Sequence, residues 1–283
     1  MNLRLKRCLK KRIPRLRLAS IFKSDRATID DLRAALAPSM VERGRDPSAV
    51  VIAFTGGADK LMLPVYEFFD TTKSLGYSRI LLRDQYQRCY TRGIDSQRPD
   101  FPSLVAYLRE ESERLGAKKV LCVGTSSGGY AAIRAGHHLA ADYVHAFGPQ
   151  TGSRPPGLAA PNGRRRLWPW KNGAPIRFRS RLDLSRLLDD WNQKTIYYVH
   201  YGRACRSDRY HAERLFKSPG VVTIGYPTAT HLIAVFLAKK GLLTEALTIG
   251  NQERLVEIVK EHFHDDLEIH GPSEKLEQPH RIA

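Results

Sequence analysis

The chain has 283 residues, a formal net charge of +17, and 42% hydrophobic and 27% charged residues. That composition excludes wholesale disorder. No apolar run approaches the roughly 18–20 residues that cross a bilayer as a helix, which argues against an integral helical membrane protein.

Four cysteines (Cys8, Cys89, Cys122, Cys205) lie far apart with no CxxC pair. Neither a structural zinc site nor a disulfide framework is expected, and a reducing compartment, the cytoplasm, is. The positive charge is concentrated in two segments. Residues 1–24 carry nine Lys or Arg and no acid, and residues 150–182 carry eight and no acid. The rest of the chain is close to neutral. Such blocks attract anions, so a contact of residues 1–24 with an acidic membrane surface is one expectation, and a solvated tail is the other. Residues 1–24 lack the apolar core of a secretory signal.

From Thr28 the pattern becomes regular. Residues 29–37 read as a short helix ended by Pro38. The run 49–54 is apolar throughout and meets Thr55-Gly56-Gly57, a buried strand followed by a tight turn. Residues 64–75 read as a helix and 79–84 as a strand. The next elements are a helix over 102–115, a strand over 119–124, a helix over 127–139 and a strand over 142–147.

Residues 150–182 break the rhythm with five prolines, Trp168 and Trp170 among arginines, and read as a lid-like insertion. Alternation then resumes: helix 183–191, strand 195–201, helix 209–217, strand 221–225, and helices 232–240 and 252–263. Strands apolar on both faces and joined by helices imply an α/β domain with a predominantly parallel central sheet covered on both sides. It is expected over residues 25–270, with a flexible segment before it and a tail at 271–283. Ligands of such sheets bind beyond the carboxyl ends of the strands.

One such turn reads Gly124-Thr125-Ser126-Ser127-Gly128-Gly129. It fits G-x-S-x-G between a strand and a helix, where small residues let a strained serine stand at the edge. A glycine-rich nucleotide-binding turn is the plainer alternative. Yet a dinucleotide fingerprint would need glycine at 126, and no Walker lysine follows. A nucleophilic serine needs a base and an orienting acid. His231 follows the last of these strands and Asp208 the one before it, in the order Ser, Asp, His. The N-cap of the 209–217 helix is the plainer alternative for Asp208. The oxyanion needs amide donors. Ser127 and the amide of Gly57 or Ala58 are the candidates.

These residues resemble the α/β-hydrolase superfamily, over roughly residues 49–262. The resemblance implies that fold and serine acyl chemistry, with no metal or organic cofactor. The resulting expectation is an esterase or thioesterase. The arginines Arg164, Arg165 and Arg166, with Trp168 and Trp170, would favour a small-molecule or glycan acyl substrate with an anionic part. Two alternatives stay open: an acyltransferase modifying a glycan, and a non-catalytic polyanion-binding protein on the same fold. No recognised nucleic-acid module is present, so no specific nucleic-acid partner is expected.

Overall fold

A computed structural model describes residues 37–57, 61, 63, 68, 71–152, 183–264 and 266–271. The basic segment 1–24, the body of the insertion and the tail from residue 272 lie outside them, as do residues 29–36 of the expected helix at 29–37, whose last residue is described and is not helical. Of the expected helix at 64–75, residues 68 and 71–73 are described as helical.

Eight strands form one sheet: β1 (Ser39–Glu42), β2 (Asp46–Phe54), β3 (Tyr77–Leu82), β4 (Lys119–Thr125), β5 (Tyr143–Phe147), β6 (Ile196–Gly202), β7 (Val221–Tyr226) and β8 (Glu268–His270). Their order is β1-β3-β2-β4-β5-β6-β7-β8. The six strands from β2 to β7 are parallel. β1 and β8 close the two edges antiparallel to β3 and β7.

The helices that lie wholly within the described residues are α1 (Phe101–Leu115), α2 (Ser127–Leu139), α3 (Leu184–Asp189), α4 (Arg206–Glu213), α5 (Ile233–Lys239), α6 (Leu242–Leu247) and α7 (Leu255–Phe263). A 3-10 turn at Ile249–Arg254 leads into α7. The sequence places α7 from residue 252. Helix α4 begins three residues before the expected 209, because Cys205, not Asp208, is its N-cap. α1 starts on a reciprocal cap: Asp100 accepts from the Ser103 amide at 2.8 Å, and the Ser103 hydroxyl accepts from the Asp100 amide. It stops at Gly116, left-handed at φ 80°.

Side chains of a strand alternate between faces, and here both faces are apolar. Val50, Ile52 and Phe54 enter one core with Tyr130, Ile133 and Leu104. Val51, Ala53, Leu121 and Val123 enter the other with Ile233, Leu237 and Leu243. That two-sided burial is why β2 reads as an unbroken apolar run. The ends of the insertion are pinned together below its first and last residues. The Leu184 amide donates to the Thr151 carbonyl at 2.9 Å, Asp183 pairs with Arg214, and the Thr151 hydroxyl donates to the His211 carbonyl at 2.9 Å.

Candidate active site

Ser126 stands between β4 and α2 with φ 54° and ψ −117°. A non-glycine residue there costs on the order of 1–3 kcal/mol, so the surroundings must hold it. They do so through glycine. A Cβ on Gly124 would collide with the carbonyl of Gly128, and one on Gly128 with the carbonyl of Phe54, with the Thr55 carbonyl 2.7 Å away. The helix therefore begins almost in contact with the end of β2. The Ser126 amide donates to the Phe147 carbonyl at 2.9 Å. Its own carbonyl accepts from Tyr130 at 3.2 Å. Gly128→Ala is expected to lower stability by about 3 kcal/mol, read as a shift of the urea midpoint at unchanged slope, because the blocking atoms are backbone and cannot rotate away.

Asp208 and His231 meet across the carboxyl ends of β6 and β7. The ring Nδ1 of His231 lies 2.8 Å from Oδ1 and 3.0 Å from Oδ2 of Asp208. The carboxylate only accepts, so Nδ1 carries a proton, and in the neutral ring the lone pair lies on Nε2. Asp208 is 2% exposed and the His231 side chain 22%, so the carboxylate is sealed and the imidazole is partly open to solvent. Asp208 occupies the first turn of α4 rather than capping it. Its carboxylate is thus free to face the imidazole.

The loops carrying the pair are stitched together. Arg203 donates its amide to the Tyr226 carbonyl at 2.9 Å, and Ala204 donates to the Thr228 carbonyl at 3.1 Å. Gly148, left-handed at φ 52°, follows β5 and lies against the pair. A Cβ there would sit 3.0 Å from His231 Nδ1 and 3.1 Å from Asp208 Oδ2. Since Phe147 binds the Ser126 amide, the serine and the Asp–His pair flank the same two residues.

The loop after β2 is braced by a residue the sequence offers no signal for. The Tyr90 hydroxyl lies 2.9 Å from the Leu82 carbonyl, 3.2 Å from the Thr55 carbonyl and 3.2 Å from the Thr55 hydroxyl. The Tyr90 amide donates to Asp84 at 3.1 Å. Gly57 is described, its carbonyl accepting from Gln87 Nε2 at 3.3 Å. Ala58 lies outside the described residues, as do Arg164, Arg165, Arg166, Trp168 and Trp170. Ser127 opens α2 and is buried. Among the described residues no cluster of His, Cys, Asp and Glu could hold a metal ion. None of their helices is long and apolar enough to cross a membrane.

No family model and no curated protein sequence matches the chain. Solved structures do. An α/β hydrolase enzyme from a metagenome of sediments of the Mar Chica lagoon, Morocco, aligns with a TM-score of 0.51 at 14% identity, over 76% of this chain and 94% of that one. The esterase domain of a Rhodothermus marinus protein aligns with a TM-score of 0.49 at 16% identity, over 75% and 90%. At such identities the likeness speaks to architecture alone, and with the sheet order and the strand–serine–helix turn it settles that question: this chain has the α/β-hydrolase fold.

Proposed function

We propose that the chain is a serine hydrolase of the esterase or thioesterase type, working through an acyl-enzyme. The observation that carries this reading is the Asp208–His231 hydrogen bond at the carboxyl edge of the same sheet on which a serine is held at φ 54°.

His231 Nε2 takes the proton of Ser126 as its oxygen attacks the ester or thioester carbonyl, forming a C–O bond and placing negative charge on the carbonyl oxygen. Asp208 holds the imidazole and stabilises its charged form. The amides of Ser127 and of Gly57 or Ala58 bind the oxyanion. The tetrahedral intermediate collapses, the C–O or C–S bond to the leaving group breaks, and His231 returns the proton to the departing alcohol or thiol. Water then repeats the sequence on the acyl-enzyme and releases the acid. A substrate with an anionic part would suit the arginines of the insertion.

Intact-mass spectrometry after incubation with a fluorophosphonate tests the reading. The expected result is one adduct on the wild-type chain and none on Ser126→Ala or His231→Ala. Folded wild-type protein that takes no adduct would refute it.

A further inference from the structure

We infer that Tyr226 and His200 are positioning residues for the Asp208–His231 pair, acting through a one-directional hydrogen-bond chain buried beneath the carboxyl edge of the sheet. The inference rests on the serine-hydrolase reading, which makes no use of these groups.

The direction of the chain follows from its far end. The amide nitrogen of Gln252 donates to the carbonyls of Ala246 at 2.8 Å and Thr248 at 2.9 Å. Those carbonyls can only accept, so the nitrogen faces them and Oε1 faces His145 Nε2 at 2.8 Å. His145 Nε2 therefore carries a proton. Burial pulls both His145 and His200 below the ordinary histidine range, which keeps the rings neutral and leaves Nδ1 of His145 as a bare acceptor. Facing it at 3.0 Å is His200 Nε2, which must donate. His200 Nδ1 is then bare and accepts from the Tyr226 hydroxyl at 2.9 Å. The result is Tyr226 to His200 to His145 to Gln252, three hydrogen bonds in one sense, with all four residues fully buried.

Two main-chain links carry this order to the site. The His200 carbonyl accepts from the Gly148 amide at 2.8 Å, and Gly148 lies against both His231 and Asp208. The Tyr226 carbonyl accepts from Thr228 at 2.7 Å and from Arg203, the first bonds of the loops that carry His231 and Asp208. The side chains also stack: Phe147 on His200 at 4.7 Å and His145 on Tyr198 at 5.0 Å between ring centres. Apolar side chains would fill the same space and add nothing directional to the backbone ladder of β5, β6 and β7. The side-chain bonds add a second constraint, because a slip at any link leaves a buried donor or acceptor without a partner.

Tyr226→Phe removes one hydroxyl and leaves His200 Nδ1 without a donor. Fluorophosphonate labelling is then followed against probe concentration, per folded molecule, well below the melting temperature. The expected result is a maximal labelling rate lowered about tenfold with an unchanged half-saturating probe concentration, and a shifted His231 Nδ1 proton resonance. An unchanged rate and resonance, with only a lower urea midpoint, would overturn the inference. Should that variant fail to fold, His145→Gln breaks the chain at its middle and is read the same way. On the wild-type chain, ring 1H–15N correlation at pH 7 should find both His145 and His200 protonated at Nε2 alone. A proton on Nδ1 of either ring would overturn the chain. Wild-type protein that takes no label would refute the serine reading, while the tautomer measurement would still judge the chain.

Discussion

Ser126→Ala and His231→Ala should each slow hydrolysis of a generic ester such as 4-nitrophenyl acetate by about a million-fold in kcat. Asp208→Ala should slow it by about ten-thousand-fold, and the Ser126→Ala/His231→Ala double variant should be no worse than either single one. The ordering follows from the geometry. In the proposed mechanism Ser126 supplies the bond that forms and His231 is the proton acceptor, so losing either removes the same step. Asp208 acts through the Nδ1 hydrogen bonds at 2.8 and 3.0 Å. Without it the imidazole still has a lone pair but is free to adopt the other tautomer. A residual rate above that in water is expected even without the serine, from the amides that bind the oxyanion. Additive losses in the double variant would show that Ser126 and His231 do not work as a unit.

Acid should destabilise the fold well above the carboxylate range. Burial lowers His145 to about 4 and His200 well below its ordinary value of 6.5. In the unfolded chain both protonate near pH 6.5, while in the folded chain they stay neutral, so the unfolded state binds more protons across this window. Stability is therefore complete above pH 6.5 and falls as the pH is lowered through it, by about 1.4 kcal/mol per pH unit for each histidine. Between pH 6.5 and 4, His145 alone should account for a loss of about 3 kcal/mol. Carboxylates such as Asp95, held low by Arg98, contribute only below this range. Urea titrations at intervals from pH 7 to 4.5 should show that slope, and a flat profile would mean that the imidazoles are hydrated or already charged.

The sequence made some parts of this molecule plain and hid others, for physical reasons. β2 and β4 are buried on both faces, so composition alone marks them, and the glycines at 124 and 128 advertise the close approach that they permit. β1 and β8 are short, polar edge strands, SMVE and EIH, with no apolar pattern to read. Helix α6 is six residues long and follows Gly241 directly, and the sequence pattern ends a helix at 240 and offers none before 252. An aspartate at a helix start reads as a cap, so the sequence offers Asp208 as the cap of α4 beside the reading that pairs it with His231. Here its side chain is drawn instead to a histidine 23 residues away. The chain of Tyr226, His200, His145 and Gln252 is assembled from four separate elements. Only folding brings His145 and Gln252, 107 residues apart, within 2.8 Å.

The backbone at Ser126 has one more consequence. Its φ of 54° and ψ of −117° belong to no conformation that a serine populates in a loose chain. They exist only while Gly124, Gly128 and the end of β2 are pressed together. A nascent or half-melted chain carries the same hydroxyl without the posture that the proposed chemistry requires. A covalent label on Ser126 would then count finished molecules, and its stoichiometry would read directly as the native fraction of any preparation.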